Sequence, residues 1–202
     1  MPGRTLEKYL IRGRLIDNDG GDGVTAQRSF YYFAYGSNLH PRRLRERAPS
    51  ARLVQVSELS GHTLRFHKRG RDGSAKCDAL PTGDDADCVI GVVYVIEARD
   101  KALLDGFEGL ERGYNEGRLT LSVAGDPQPV FTYLADPRYI DRSLRPYSWY
   151  KELVVHGARA HGFPRAYVDE IAAMPAIADP DQGRAQSHYS LIAAMARDTQ
   201  LF

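Results

Sequence analysis

The sequence predicts an α+β fold in which a curved or barrel-like mixed β-sheet is flanked by helices. Between residues 30 and 134, most segments alternate apolar and polar residues or form short aromatic and β-branched runs, as strands do. From Ser148 to the end the pattern is helical, with interruptions at Gly162–Pro164, Pro175 and Pro180. Strands therefore dominate the first two-thirds of the chain and helices the last third, and this segregation is typical of α+β proteins.

Length and composition indicate an ordinary globular protein. Of the 202 residues, 43% are hydrophobic and 26% are charged, the usual balance of soluble domains. The 27 basic and 26 acidic residues give a net charge of +1, so we expect neither a nucleic-acid partner nor a membrane partner. The N-terminus lacks the apolar core of a signal peptide, and no window is long enough to span a bilayer, which predicts a cytoplasmic location.

The N-terminal residues differ from the rest of the chain. Leu6, Tyr9 and Leu10 are spaced for one short amphipathic turn, and the Gly- and Asp-rich run 17–23 breaks any regular structure. We therefore expect residues 1–29 to form a flexible or loosely docked extension. Residues 30–202 contain no linker-like stretch and are expected to form a single domain.

The first element of this domain is a buried strand that ends in a sharp turn. Residues 30–35 are aromatic and apolar, which predicts a strand. Gly36 permits the chain to turn sharply, and Pro41 is well placed for the first turn of a helix. The alternating apolar residues of 52–60 predict the next strand.

The middle of the chain predicts a hairpin that carries both cysteines. After a short strand at 63–66, the runs 77–80 and 88–96 flank turn-forming residues. Cys77 and Cys88 would then lie on the two strands of this hairpin. Two cysteines are too few for a disulfide framework, so we expect reduced, partly buried thiols; a bond across the hairpin is the alternative.

A helix follows at residues 97–108. Its spacing places Leu103, Leu104 and Phe107 on one face, which we expect to pack on the core. Gly109 is the residue type that commonly ends a helix, because glycine adopts the left-handed conformation without strain.

The turn Gly36–Asn38 is the first candidate for a binding site. A strand that turns through Gly-Ser-Asn into a helix start directs several backbone N–H groups to one spot. Such a spot suits a carboxylate or a developing oxyanion, although the same pattern also occurs at ordinary strand–turn–helix junctions. Ser37 lacks the context of a nucleophile elbow, so we do not expect it to be a nucleophile.

Glu108 is the candidate acid and base. It ends the predicted helix, where the negative end of the helix dipole disfavours a carboxylate ion and makes the group a better base. The alternative is an exposed glutamate at a frayed helix end. Asp105, Glu111 and Glu116 lie nearby and are not excluded by the pattern.

Other kinds of site find no support in the sequence. The six histidines lack zinc spacing, so no metal site is expected, and no Ser-His-Asp or Cys-His nucleophile context is visible. Phosphate-loop and dinucleotide fingerprints are absent too. The basic groups at Arg42, Arg43, Arg45 and Arg47 and at 68–71 have acidic neighbours and no interleaved aromatic residues, which predicts solvated faces rather than phosphate contacts.

Three motifs occur in order between residues 30 and 181. The first is Tyr-Phe-Ala-Tyr-Gly-Ser-Asn-Leu at 32–39, and the second is Leu-Asp-Gly-Phe-Glu-Gly-Leu at 104–110. The third is Tyr-Lys-Glu at 150–152, followed by Gly157 and by Gly-Phe-Pro-Arg-Ala-Tyr at 162–167. Together they resemble the motifs of the γ-glutamylcyclotransferase family, which has the AIG2-like cyclotransferase fold, and three ordered motifs are more specific than one.

The resemblance implies an enzyme that cleaves a γ-glutamyl amide without a metal or another cofactor. The substrate's own α-amine attacks its γ-carbonyl, which releases 5-oxoproline and a free amine or amino acid. Glu108 matches the family's catalytic acid/base. The N–H groups of Tyr35–Asn38 would hold either the α-carboxylate or the oxyanion. The implied substrate-binding residues are Tyr32, Phe33, Ala34, Tyr35, Gly36, Ser37, Asn38 and, on the opposite wall, Tyr150.

Departures from the family pattern leave the exact substrate open. Phe107 replaces a commonly polar residue before the catalytic glutamate, and Ser148-Trp149 precedes the matched Tyr150. The loop at 148–149 and the basic turn at 68–71 are candidates for contacting the leaving group. The resemblance implies a small γ-glutamyl compound as partner and a possible homodimer. The alternative is a non-catalytic small-molecule-binding or stress-response module of the same fold.

Overall fold

The computed structural model describes residues 28–199, so the extension expected at 1–29 lies almost entirely outside the described residues. The described residues form seven strands and five α-helices, which confirms the α+β class. The strands are β1 (Ser29–Ala34), β2 (Arg52–Ser60), β3 (His62–Arg69), β4 (Ala75–Pro81), β5 (Cys88–Glu97), β6 (Tyr114–Val123) and β7 (Asp126–Ala135). The helices are α1 (Pro41–Arg45), α2 (Ala98–Glu108), α3 (Ser148–Ala160), α4 (Arg165–Ala173) and α5 (Gln182–Thr199). Among residues 28–199, no helix combines the length and apolar character needed to cross a bilayer.

Five strands form a mixed sheet in the order β2-β5-β1-β7-β6. β1 runs parallel to β7, with Tyr31 opposite Val130, whereas the other neighbouring strands are antiparallel. The sheet is not closed as a barrel, which corrects the barrel-like expectation. A bulge between Leu53 and Gln55 interrupts the edge strand β2, and the Gln55 side chain rather than the backbone reaches β6, where its amide donates to Ser122 O at 2.8 Å.

The hairpin predicted from 77–80 and 88–96 is wrong. β4 pairs with β3 in a separate two-stranded sheet, and β5 lies between β2 and β1. β5 is buried from Val89 to Tyr94, and a strand that is apolar on both faces belongs in the centre of a sheet. The cysteines therefore lie in different sheets, and both are free thiols, which agrees with the expected reduced state.

The hydrophobic core joins the five-stranded sheet to α3. Phe33 of β1, Tyr94 of β5 and Leu153 of α3 are all fully buried in it. α3 also lies unusually close to the chain that follows β1, because Gly157 has no side chain. A Cβ at this position would lie 2.5 Å from Leu39 Cβ. The absence of that atom lets α3 support the segment that leads out of the turn.

Helix α2 packs on the core through fewer residues than its spacing predicts. Leu104 is fully buried, but Leu103 and Phe107 are 55% and 59% exposed, so the expected apolar face is only partly correct. The helix ends at Glu108 and is followed by Gly109 at φ 68°, as the sequence predicts. This left-handed residue turns the chain away directly after the glutamate.

Candidate active site

The turn after β1 faces a small cavity. Ser37 and Asn38 are buried, and the Leu39 N–H closes the turn by donating to Gly36 O at 3.1 Å. Within residues 28–199, no backbone hydrogen bond is donated by the N–H groups of Gly36, Ser37 or Asn38. Buried N–H groups of this kind need an acceptor, so the turn is suited to an anion.

Helix α1 does not contribute to this anion site. Its first turn is capped by His40, whose Nδ1 accepts from the Arg42 N–H at 3.2 Å. The helix has five residues, so its dipole is small. The N–H groups without an acceptor therefore belong to the turn, whereas sequence analysis expected the helix start to contribute as well.

The opposite wall of the cavity is formed by α3 and β4. The Tyr150 hydroxyl accepts from the Cys77 N–H at 3.1 Å, which fixes the ring. A Cβ on Gly36 would lie 3.1 Å from Cys77 Cβ and 3.7 Å from the Tyr150 hydroxyl. Gly36 thus keeps open the space between the turn and this wall, where sequence analysis placed Tyr150.

Glu108 reaches the same cavity and is held by two neighbours. Arg47 Nη1 lies 2.7 Å from Glu108 Oε1, and Asn38 Nδ2 donates to the same oxygen at 2.9 Å. Asn38 also donates to the Tyr32 hydroxyl at 3.1 Å. The Glu108 side chain is 15% exposed, so the alternative of an exposed glutamate at a frayed helix end is wrong. The carboxylate is directed by these contacts towards the turn.

Arg47 is a site residue that sequence analysis missed. It was assigned to a solvated face, yet its side chain is 17% exposed and also donates to Asn38 Oδ1 at 3.0 Å. Arg43 is likewise largely buried, with 12% of its side chain exposed, whereas Arg42 pairs with Asp198 at the surface. Because α1 is short, the chain brings Arg47 back beside the turn. A run of arginines in the sequence does not reveal which of them turns inwards.

Five of the ten residues that line the cavity are tyrosines. Two of them, Tyr114 and Tyr133, were not predicted as site residues. The Tyr114 hydroxyl donates to Cys77 O at 2.6 Å, and the Tyr133 hydroxyl donates to Asp105 Oδ1 at 2.6 Å. The complete lining consists of Tyr32, Tyr35, Gly36, Ser37, Asn38, Cys77, Glu108, Tyr114, Tyr133 and Tyr150.

Burial keeps the phenols and the thiol of this cavity protonated. It raises the pKa of Tyr35, Tyr114 and Tyr150 well above the usual range of tyrosine. It also raises the pKa of the Cys77 thiol to about 12. These groups therefore do not exchange protons near neutral pH. Among the residues that line the cavity, Glu108 is the group suited to proton transfer.

The remaining predicted residues lie outside the lining. Phe33 and Ala34 are fully buried within β1, where they pair with β5. Asp105 lies behind Tyr133 and is paired with Lys101 at 3.0 Å, and Glu116 is paired with the same lysine at 2.7 Å. Asp105 and Glu116 thus belong to an ion-pair network beside the cavity, whereas Glu111, the third acid that sequence analysis left open, is exposed and does not line the cavity.

Comparison with known proteins gives concordant matches. The AIG2-like family matches residues 88–171, which include Glu108 and Tyr150. Human gamma-glutamylcyclotransferase is 30% identical over 162 residues, covering 78% of this chain and 86% of the human protein. The bovine protein of the same name is 31% identical over 143 residues, covering 69% of this chain and 75% of its own.

A solved structure of a gamma-glutamyl cyclotransferase has the same fold. It superimposes with a TM-score of 0.71 at 25% identity and covers 83% of this chain and 99% of its own. The curated relatives and this structure agree with the family that the three sequence motifs indicate. The chain belongs to the γ-glutamylcyclotransferase family.

Proposed function

We propose that the protein converts a small γ-glutamyl amino acid or γ-glutamyl amine to 5-oxoproline and the free amino acid or amine. The observation that carries this proposal is the position of Glu108, whose carboxylate faces a turn with unused N–H groups across a tyrosine-lined cavity. An acid/base group and an anion site in one cavity are what an intramolecular acyl transfer needs.

In the proposed reaction, Glu108 moves one proton from the attacking nitrogen to the leaving nitrogen. Near neutral pH the substrate's α-amine is mostly protonated, because the reference α-amino pKa is about 8. Glu108 accepts a proton from this amine, which then attacks the γ-carbonyl carbon and forms the new C–N bond. As Glu108 returns this proton to the leaving nitrogen, the old C–N bond breaks. The ring nitrogen gives up the second proton that it still carries after the attack, and the released amine is protonated, so the products are a neutral lactam and an ammonium ion. No water is consumed.

The turn Gly36–Asn38 supports the reaction by binding negative charge. Its free N–H groups suit either the oxyanion of the tetrahedral intermediate or the substrate's α-carboxylate. Holding the flexible glutamyl chain so that its amine approaches its own carbonyl is a further large part of the expected rate gain. The fixed Tyr150 ring would limit the conformations available to the bound chain.

A matched set of dipeptides tests the proposal. We expect the protein to release 5-oxoproline from γ-Glu-Ala, measured by liquid chromatography, but not from α-Glu-Ala, whose amine cannot close a five-membered ring onto the scissile carbonyl. N-acetyl-γ-Glu-Ala, which lacks the nucleophilic amine, is expected to be stable. Release of glutamate instead of 5-oxoproline would indicate a hydrolase. Binding of γ-glutamyl compounds without any turnover would support the non-catalytic alternative.

Replacing Arg47 by methionine is expected to lower kcat/KM by about 10- to 100-fold, because hydrogen bonds to charged groups contribute about 1.5 to 3 kcal/mol. Methionine retains an unbranched apolar stem, so the loss falls on the contacts with Glu108 and Asn38. Arg42→Met is the matched control, since Arg42 pairs with Asp198 at the surface. The assigned role of Arg47 would be rejected if both variants retained wild-type kcat/KM or lost it equally.

A further inference from the structure

Lys68 is a buried cation that the proposed chemistry does not use. It is 6% exposed, although lysine is rarely buried without a partner. Its Nζ lies 4.3 Å from the centre of the Tyr114 ring, which lines the cavity. Among residues 28–199, no carboxylate forms an ion pair with it. A cation–π contact at this distance offsets part of the cost of burial but does not neutralise the charge.

Among residues 28–199, Arg71 is a second cation without an ion-pair partner. It belongs to the loop between β3 and β4, and its guanidinium lies beside the C-terminal end of α2. It is exposed, and its Nη2 lies 3.2 Å from the position that a Cβ of Gly109 would occupy. The guanidinium therefore lies next to the residue that follows Glu108. Within the described part of the chain, no carboxylate pairs with Arg71.

Two other cations close to the cavity, Arg47 and Lys76, are each paired with a carboxylate. Arg47 is paired with Glu108, and Lys76, whose Nζ lies 4.5 Å from the Tyr150 ring centre, is paired with Asp72 at 2.6 Å. Among residues 28–199, Lys68 and Arg71 thus differ from Arg47 and Lys76 in having no ion-pair partner, and they come from the strand end and the loop of the β3–β4 hairpin. Burial lowers the pKa of Lys68, and the charge of Glu108 opposes this effect, so the lysine and the glutamate act on each other electrostatically.

We propose that Lys68 and Arg71 form a carboxylate-binding subsite for the amino acid that the reaction releases, and so determine specificity for the leaving group. This inference rests on the proposed function. If Glu108 protonates the leaving nitrogen, that nitrogen lies at the carboxylate of Glu108. In an α-amino acid the carboxylate carbon is two bonds from the nitrogen. The leaving-group carboxylate therefore falls among the residues that flank Glu108, where the two uncompensated cations are.

The geometry favours the leaving group over the glutamyl group as the source of this carboxylate. The turn Gly36–Asn38 already offers N–H groups to the glutamyl half of the substrate. Arg71 lies beside Gly109, the residue that directly follows Glu108, which in the proposed reaction protonates the leaving nitrogen. An uncharged amine would leave both cations without a partner, so its γ-glutamyl derivative would be bound and turned over less well.

Two isosteric substrates test the subsite. We expect wild-type kcat/KM to be about 10- to 100-fold higher for γ-Glu-Ala than for γ-glutamyl-alaninamide, in which a carboxamide replaces the leaving-group carboxylate. Arg71→Gln and Lys68→Met should each reduce this preference by about tenfold or more, mainly by raising KM for γ-Glu-Ala. Arg69→Gln is the matched control, because it removes one charge from the same strand while its side chain lies over Tyr139. It should retain the wild-type preference.

The possible outcomes separate the subsite from the proposed function. Equal wild-type kcat/KM for the two substrates would overturn the subsite and leave the cyclotransferase function intact. If Arg71→Gln lowered kcat/KM equally for both substrates, the subsite would also be overturned and the cyclotransferase function would stay intact. The cations would then act on the glutamyl half of the substrate or on Glu108. Absence of 5-oxoproline from both substrates would overturn the proposed function itself. Arg71 is exposed, so its variant is expected to fold even if Lys68→Met does not.

Discussion

Replacing Glu108 by glutamine is expected to abolish release of 5-oxoproline, with kcat/KM reduced by about a thousandfold or more. A positioned general acid and base contributes about 10²- to 10⁴-fold to a rate, and this residue would serve both steps. Glutamine has nearly the same shape, so it can still accept hydrogen bonds from Arg47 and Asn38. It cannot take up a proton from the substrate's amine. The expected defect is therefore in chemistry rather than in folding.

Measurements of kcat/KM with γ-Glu-Ala and of the thermal unfolding midpoint separate these two effects. The variant should unfold within a few degrees of the wild type, because the substitution is conservative and lies at a helix end. Glu116→Gln is the matched control, since this carboxylate belongs to the network around Lys101 and does not line the cavity. It should retain activity within about threefold. A purified Glu108→Gln protein with full activity would exclude the acid/base assignment.

The predicted site residues that the structure brings to one cavity were indicated by local sequence patterns. A strand, a Gly-Ser-Asn turn and a helix that ends in Glu-Gly are each visible within about ten residues. Tyr114 and Tyr133 were missed, because their approach to the cavity depends on pairing between distant segments. Arg47 was missed because a run of arginines does not show which of them turns inwards. Tyr114 lies opposite Ala135 in the β6–β7 pair, and such a register cannot be read from either strand alone.

The order of the strands in the sheet could not be predicted from the sequence either. Alternation and burial patterns indicated where β4 and β5 lie, but they do not specify which strands are neighbours. The turn-forming residues between them resembled a hairpin connection, although the Gly61 N–H donates instead to Asp87 O, from the end of β2 to the start of β5. The barrel-like expectation failed for a related reason. Closure needs a backbone ladder between β2 and β6, and the Gln55 side chain takes its place.

Gly157, which belongs to the third motif, has a structural role rather than a catalytic one. In this motif Tyr150 lines the cavity, whereas Gly157 lies about two helical turns further along α3, with Leu39 Cβ 2.5 Å and His40 N 3.1 Å from the position of a Cβ. Both neighbours belong to the segment that follows the Gly36–Asn38 turn. The glycine therefore acts on the site through the position of this segment, which sequence matching alone could not distinguish from a binding role.

Gly157→Ala is expected to destabilise the protein by about 2 to 3 kcal/mol, because the methyl group overlaps Leu39 and backbone atoms that cannot yield cheaply. For a domain of this size, the unfolding midpoint should fall by about 5 to 10 °C. The turn should be displaced with Leu39, so kcat/KM should fall by about tenfold or more even at temperatures where the variant is folded. Calorimetry and kinetics with γ-Glu-Ala measure the two effects.

Gly106→Ala is the matched control, since Gly106 also lies within a helix but has no heavy atom within 4 Å of its Cβ position. There the methyl group meets open space, and alanine favours the helix over glycine by about 0.5 to 1 kcal/mol. The two Gly→Ala changes should thus shift the unfolding midpoint in opposite directions. If Gly157→Ala were as stable and active as Gly106→Ala, α3 would not hold the turn in place, and Gly157 would need another explanation within the motif.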